Sequence, residues 1–169
     1  MPHLQRYTRC HGKGITQTVT TNVSKYIHPI TVEAAHEVAS NLRPDDYREL
    51  TEGWGVNPDH LAEAVQGGDS VWFEVPNGKT AGMAGVDPGG IIWMLCTPAI
   101  HEYPVTFARE SKRYVESRTE PLLWNIVDKR NTVHLKVLKF LGFKFLREIS
   151  HGPNQLPFIE FCRVLRSRS

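Results

Sequence analysis

The most informative segment of the chain is Asn131-Thr-Val-His-Leu-Lys-Val-Leu-Lys-Phe-Leu-Gly-Phe143. Four apolar residues recur in it at helical spacing and form the predicted inner face: Val133, Val137, Phe140 and Leu141. Gly142 follows as a helix stop. Apolar runs at 122–127 and 143–149 flank the stretch and predict strands. The sequence therefore predicts a strand, a turn, a short amphipathic helix over 132–141 and a second strand.

Towards the N-terminus, the sequence predicts a strand at 23–29 followed by helical segments. Thr31 is a suitable helix N-cap, and 45–50 forms another turn or two. Gly53-Trp-Gly55 is a breaker, and Asn57-Pro58 opens a helix through Val65 that ends at Gly67-Gly68. Residues 1–22 are polar and lack sustained periodicity, so they are predicted to be an N-terminal extension or arm. The remainder, 23–169, is predicted to be a single domain.

The middle of the chain is rich in predicted strands. In 71–75, three apolar residues alternate with Trp72 and Glu74, which predicts a strand. Asn77-Gly78 follows as a strong hairpin signal, and 81–86 is predicted to be the second strand of the hairpin. The run 91–96 is apolar on both faces and predicts a central strand. A helix follows whose inner face is Phe107, Ser111, Tyr114 and Val115, and the last strand is predicted at 157–164. The fold class is therefore α/β, in the sense of a mixed α+β sheet with helices on its faces.

Composition excludes several classes of protein. The 169 residues suit one domain, and a net charge of +2 gives no reason to expect a polyanion partner. The basic end, 163–168, has no interleaved aromatics, so nucleic acid is not expected as a partner. No apolar run is long enough for a bilayer, and 1–25 lacks the core of a secretory signal. Three cysteines without C-x-x-C spacing and eight scattered histidines predict no metal site.

The order of elements resembles the GCN5-related N-acetyltransferase (GNAT) fold over about 23–164. A common signature of that superfamily is Asn, Ala at +3, Tyr at +7 and Gly-Phe at +11 and +12. Asn131 and Gly142-Phe143 match this signature. The alternative is a generic helix with a glycine cap, but the strand order favours the family independently. The resemblance implies a mostly antiparallel central sheet with splayed middle strands and helices on both faces.

A narrower resemblance connects the chain with small GNAT-like proteins of short-tailed bacteriophages, described as internal virion protein A or acetyltransferase-like. The segments that carry it are 42–49, with its Arg-Pro-x-Asp element, 92–95, 123–125, 131–143 and 158–164. The resemblance implies a role in virion assembly, with acetyl transfer inferred in that family from the fold. It also implies partners among phage virion proteins or copies of the same chain, and a location in the virion or the infected host cytoplasm.

The GNAT resemblance implies acetyl-CoA as cofactor. In that superfamily a Q/R-x-x-G-x-G/A loop after the fourth strand holds the pyrophosphate at a helix N-terminus. Here His101, Pro104 and Thr106 occupy the three pattern positions, and Pro104 has no N–H to donate. The alternative, which the sequence favours, is that Pro104 simply begins a helix with a solvated basic face. The implied cofactor-binding residues are Cys96, Thr97, His101, Val105, Thr106, Arg109 and Asn131.

Three residues are candidates for catalysis, while the usual general acid is absent. Leu138 stands where the superfamily often places a tyrosine, and it has no proton to give. The resemblance places acceptor contacts in the early helical region, where Glu49 is a candidate base for an amine and Glu52 is the alternative. Cys96 ends the central strand, and His134 replaces a small residue on the cofactor-facing helix. Each also has a structural interpretation: a solvated carboxylate, a small buried thiol and a space-filling imidazole.

Two functional hypotheses follow, from different classes. The first is an acetyl-CoA-dependent N-acetyltransferase with a degenerate cofactor loop. The second is a non-catalytic GNAT-fold protein that binds other phage proteins during virion assembly or genome ejection, with its N-terminal arm ordered against another chain. The enzyme hypothesis predicts an open cleft between strands 91–96 and 122–127. A cleft filled by Trp93 or Trp124 would count against it.

Overall fold

The computed structural model describes residues 24–65 and 69–165. The elements in chain order are β1 (Ile27–Pro29), α1 (Val32–Ser40), α2 (Pro44–Arg48), a π-helix (Glu49–Trp54), a 3-10 turn (Pro58–His60), α3 (Leu61–Ala64), β2 (Val71–Glu74), β3 (Thr80–Asp87), β4 (Ile91–Cys96), a 3-10 turn (Pro98–His101), α4 (Pro104–Glu116), β5 (Leu122–Asp128), α5 (Thr132–Phe140), β6 (Lys144–His151) and β7 (Leu156–Val164). The predicted arm, 1–22, and the predicted helix end at Gly67-Gly68 lie outside the described residues.

Seven strands form one sheet in the order β1-β2-β3-β4-β5-β7-β6. Neighbouring strands are antiparallel except β4 and β5, which are parallel. One core cluster, which includes Phe107 and Tyr114 of α4, packs on one face. A second cluster, which includes Val38 of α1 and Leu61 of α3, packs on the other. The prediction of a mixed, mostly antiparallel sheet covered on both faces is confirmed, as is the central position of β4.

Local sequence signals set most of the helix starts. The Thr31 hydroxyl accepts from the Ala34 N–H at 3.1 Å, and the Asn57 side chain accepts from Asp59, so both predicted N-caps are confirmed. Asn131 caps α5 by accepting from the His134 N–H at 3.4 Å. Pro44 and Pro104 each begin a helix, where the missing N–H costs little. Among the described residues, no helix is long and apolar enough to cross a membrane.

The breaker predicted at Gly53-Trp-Gly55 acts at its last residue, because the π-helix runs to Trp54 and Gly55, whose φ is 67°, ends it. Two other sequence predictions are wrong in detail. Phe140, predicted to face the core, is 55% exposed, and His134 takes a buried place on the inner side of α5. The first strand begins at Ile27, after a turn in which the Ile27 N–H bonds to the Ser24 carbonyl.

Gly90 directly precedes β4 and lies against Leu122 at the start of β5. Gly90→Ala should therefore be strongly destabilising. Its φ is +79°, and an added Cβ would lie 2.0 Å from the Leu122 carbonyl oxygen. Strain and clash together should cost about 2–4 kcal/mol. Gly89→Ala is the matched control, since its φ is +93° but its Cβ would meet nothing, so it should cost about 1 kcal/mol. Urea unfolding measures both, and equal costs would contradict this account of the junction.

Candidate active site

The two central strands separate just after they meet. Ile91 and Trp124 form the single register pair between β4 and β5, with the Trp124 N–H bonded to the Gly90 carbonyl at 2.9 Å. One step further, the Asn125 side-chain amide donates to the Ile92 carbonyl at 2.8 Å, replacing a backbone bond. Beyond this point no backbone bond joins the two strands among the described residues. The predicted splay of the middle strands is thereby confirmed.

A cavity of about 130 Å³ lies at this separation. Its walls come from both faces of the sheet: Ser111, Tyr114 and Leu138 from the α4 and α5 side, and Leu50, Leu61 and Trp93 from the α1–α3 side. The volume is close to that of a cavity that binds benzene, about 150 Å³. The opening between β4 and β5 can therefore hold part of a ligand.

Neither tryptophan fills the opening. The Trp124 indole donates to the Gly89 carbonyl at 3.0 Å in an exposed position. Trp93 forms a wall of the cavity, with its indole N–H 3.3 Å from an Asp87 oxygen and its ring against Gly85. The open cleft expected of an enzyme is present.

Three buried polar atoms on the cavity wall make no hydrogen bond with the described residues: Ser111 Oγ, Tyr114 Oη and His134 Nε2. These side chains belong to residues that are 2%, 4% and 6% exposed. Burial raises the pKa of Tyr114 to about 12, so its hydroxyl keeps its proton. Unpaired buried polar groups are costly and rare. Their presence on a mostly apolar wall suits a ligand with polar groups along an apolar body.

Glu49 is a carboxylate that borders this cavity. The π-helix that follows α2 positions it, and one of its oxygens accepts from the Asn131 amide at 3.1 Å. Burial raises the pKa of Glu49 to about 8, the hydrogen bond from Asn131 opposes the rise, and the nearby carboxylates of Asp46 and Asp128 add to it. A carboxylate with such a pKa is a suitable general base near neutral pH.

Asp46, three residues before Glu49, connects α2 with β4 and with the start of α5. It accepts from the Cys96 N–H at 3.0 Å and from the Asn131 amide at 2.9 Å, and the Arg43 guanidinium lies 3.4 Å away. Asp46 and Arg43 are 1% and 2% exposed. The sequence prediction missed Asp46 as a site residue, although it ends the Arg-Pro-x-Asp element at 43–46. Its hydrogen bonds fix α2, β4 and α5 relative to one another.

Cys96 and His134, the other two candidate catalytic residues, lie beside Asp46. Burial, followed by the Asp46 charge, raises the pKa of the Cys96 thiol well above its usual value, which disfavours a thiolate nucleophile. Burial lowers the pKa of His134, so its imidazole is neutral near pH 7. The His134 Nε2 is 3.2 Å from an Asp46 oxygen but is not aligned for a hydrogen bond. The fold thus brings Glu49, Cys96 and His134 together.

The predicted cofactor loop is engaged in internal bonds at several positions. Thr97 caps the 3-10 turn and donates to the Thr80 carbonyl at 2.8 Å. His101 accepts from the Arg43 Nε at 3.1 Å, and Glu102 is ion-paired with Lys79 at 2.9 Å. Asn131 is buried and faces Asp46 and Glu49. These contacts explain why the loop keeps its shape without glycines.

The first turn of α4 keeps two open donors. The backbone N–H groups of Val105 and Thr106 make no hydrogen bond with the described residues, as expected for a helix start. Arg109, also predicted to bind the cofactor, is half-exposed and lies 3.6 Å from an oxygen of the buried Glu110. The helix N-terminus therefore retains part of an anion site, with two amide donors and no contribution from Pro104.

No protein-family model and no curated protein matches the sequence. Solved structures do match. A GNAT-family acetyltransferase from Bacillus anthracis has 9% identity over 82% of this chain and 93% of its own, with a TM-score of 0.62. A ribosomal-protein-alanine N-acetyltransferase from Brucella melitensis has 13% identity over 82% and 99%, with a TM-score of 0.61.

A spermidine N-acetyltransferase from Vibrio cholerae, solved with CoA and spermine, has 10% identity over 82% of this chain and 94% of its own, with a TM-score of 0.58. At such low identities, the likeness extends to the fold alone. The chain has the fold of the GNAT acetyltransferases, as its strand order and glycine-stopped helix predicted.

Proposed function

We propose that the protein is an acyl-CoA-dependent N-acyltransferase, with acetyl-CoA as the simplest donor and a primary amine as acceptor. The observation that carries the proposal is the cavity where β4 and β5 separate, bordered by Glu49. A gap between neighbouring strands gives an elongated thioester a path into the sheet, and the carboxylate stands where an amine would meet it. Proteins of the same fold that were solved with CoA support this choice of cofactor.

The chain fits a CoA thioester in two places. The open N–H groups of Val105 and Thr106 at the start of α4 suit a phosphate oxygen. The unpaired hydroxyls of Ser111 and Tyr114 suit the amide groups of the pantetheine arm. One feature opposes tight binding, because Pro104 offers no donor. A bound acyl-CoA would supply the acyl group as a thioester.

Glu49 then serves as the general base. As the amine nitrogen forms its bond to the acyl carbon and the carbon–sulfur bond breaks, the proton of the amine passes to a Glu49 oxygen. Asn131 holds that oxygen in place from the cap of α5. Leu138, on the cavity wall, has no proton for the departing thiolate, which therefore takes its proton from water. Positioning of the two reactants side by side in the cavity supplies the rest of the acceleration.

Release of free thiol from acetyl-CoA tests the proposal. Wild-type protein, assayed in chelator-treated buffer against a panel of mono- and polyamines, should release thiol at a rate that depends on the amine and stoichiometrically with acylated product. A protein that binds acetyl-CoA but transfers nothing to any amine across pH 7–9 would contradict the enzymatic role.

Pro104→Gly should strengthen acetyl-CoA binding by about three- to tenfold. The substitution adds one backbone N–H at the first position of α4, and a hydrogen bond to a charged oxygen contributes about 1 kcal/mol or more. Calorimetric titration measures the change. Pro98→Gly is the control, since Pro98 begins the preceding 3-10 turn, and it should leave the affinity unchanged. Equal affinity of Pro104→Gly and wild type would place the phosphate away from α4.

A second candidate function is a non-catalytic scaffold in a bacteriophage virion, acting through contacts with other virion proteins or with its own copies. The observation that favours it is the altered cofactor loop. His101 is hydrogen-bonded to Arg43, and Glu102 is ion-paired with Lys79. Pro104 has no backbone N–H to donate to a phosphate. The scaffold role predicts no acetyl-CoA binding by the wild type. It also predicts that the protein co-purifies with particles assembled in infected cells.

A further inference from the structure

Three metal-ligating side chains converge below the cavity from distant parts of the chain. Asp46 comes from α2, Cys96 from the end of β4 and His134 from α5. One candidate ligand atom from each lies within 4.8 Å of the other two. All three residues are more than nine-tenths buried. The acyl-transfer proposal gives no role to the thiol.

The imidazole supplies an independent indication of a ligand. His134 Nε2 is buried and makes no hydrogen bond with the described residues, although an Asp46 oxygen lies 3.2 Å away. A neutral imidazole nitrogen that presents its lone pair to a carboxylate oxygen is unfavourable, and one that carries a proton would be expected to align with that oxygen. A cation between the two groups would satisfy both.

We infer that Asp46, Cys96 and His134 form a binding site for zinc or a closely similar divalent cation. A thiolate, an imidazole and a carboxylate are the ligand types that zinc prefers, with bonds of about 2.0–2.3 Å that place ligand atoms roughly 3.5 Å apart. The Asp46–His134 separation already meets this requirement. A modest approach of the Cys96 sulfur completes three ligands and leaves the fourth position for water.

The charges around the cluster are compatible with a cation. The Arg43 guanidinium lies 3.4 Å and 3.5 Å from the two Asp46 oxygens, farther than the usual 2.7–2.9 Å of a charge-assisted bond. Arg43 also has Asp45 at 3.6 Å and donates to His101, so it keeps other partners. Binding releases the Cys96 thiol proton to solvent. The thiolate and the Asp46 carboxylate then offset the two charges of the ion.

Titration with Co²⁺ tests the site because a cobalt–thiolate bond has a charge-transfer absorption in the near ultraviolet. Wild-type protein, reduced and stripped with chelator, should bind one equivalent with this absorption, and Zn²⁺ should displace it. Zn²⁺ should also raise the melting temperature, while Mg²⁺ should not. These measurements on the wild type decide the question without any variant and without acetyl-CoA.

Two pairs of variants distinguish the proposed thiol and imidazole ligands from another thiol and another imidazole in the chain. Cys96→Ser should abolish the charge-transfer band, and His134→Ala should weaken Co²⁺ binding at least tenfold. Cys162→Ser removes a free thiol on β7, and His151→Ala removes a half-buried imidazole whose Nε2 is also unpaired, so both should bind like the wild type. Absence of the band in the wild type, or its loss in Cys162→Ser and not in Cys96→Ser, would overturn the site.

Discussion

Glu49→Gln should lower kcat/KM for acyl transfer by about 10²- to 10⁴-fold, the usual contribution of a general base. The amide keeps the size of the side chain and an oxygen that can accept from Asn131, so the cavity and the bond at 3.1 Å should persist. The glutamine side chain, however, cannot take a proton from the amine. The loss should therefore appear in turnover while acetyl-CoA binding stays within about threefold of wild type.

The same substitution should make the protein more stable at high pH. The folded state raises the pKa of Glu49 from 4.5 to about 8, which means that folding favours the neutral carboxyl. Its contribution is fully present below pH 4.5 and is lost as the pH rises towards and through 8. Glutamine is neutral throughout. The variant should thus match wild type near pH 4 and exceed its stability by on the order of 2–4 kcal/mol at pH 9.

Urea unfolding at several pH values, alongside the thiol-release assay, measures both effects in chelator-treated buffer. Glu52→Gln is the control, because Glu52 lies on the same π-helix but is exposed and paired with Arg130. It should change activity less than threefold and stability by less than about 1 kcal/mol. If Glu49→Gln retains full activity, Glu49 is not the base, and if its stability shows no pH dependence relative to wild type, the carboxyl is not desolvated.

Asp46→Asn should be the most destabilising substitution near the site, with a cost of about 3–5 kcal/mol. The substitution removes the charge that compensates the buried Arg43, at 3.4 Å. It also replaces one carboxylate oxygen by an amide that competes with the donors on Cys96 and Asn131. Because Asp46 holds α2, β4 and α5 together, its loss should also allow these elements to move apart around the cavity. Urea unfolding gives the free energy, and reduced ellipticity without urea would show outright unfolding.

Asp45→Asn is the matched control for this effect. Asp45 is the adjacent residue and also faces arginines, Arg43 at 3.6 Å and Arg48 at 3.1 Å, but its side chain is 34% exposed. An exposed pair contributes about 1 kcal/mol or less. A cost for Asp46→Asn as small as that for Asp45→Asn would mean that solvent reaches the Arg43–Asp46 pair.

Sequence patterns predicted the fold well where a local signal sets the structure. Thr31 and Asn57 cap helices, as predicted, because short polar side chains reach the free N–H groups of a first turn. The uniformly apolar 91–96 run belongs at the centre of the sheet because both of its faces are covered. The order of such elements was enough to indicate the GNAT fold, with which the solved structures agree.

The site was harder to predict because its contacts join distant residues. Glu49 was named as a base, but its raised pKa depends on burial and on Asp46, Asp128 and Asn131. The absence of a metal site was expected from residue spacing, yet spacing carries no information on a cluster whose members lie 38 or more positions apart in the chain. The helix ends at Gly55, within the predicted breaker at 53–55, but the sequence did not predict that the turn before it, Glu49–Trp54, is a π-helix.

The opening between β4 and β5 is the proposed binding site for an acyl-CoA. Calorimetric titration of acetyl-CoA into wild type and into Ser111→Leu tests whether the ligand enters it. Ser111 is buried on the cavity wall with an unpaired hydroxyl, so leucine fills the opening and removes an unsatisfied group. We expect micromolar binding to wild type and at least tenfold weaker binding to a stably folded Ser111→Leu. No binding to wild type, or equal binding to both, would contradict this proposal.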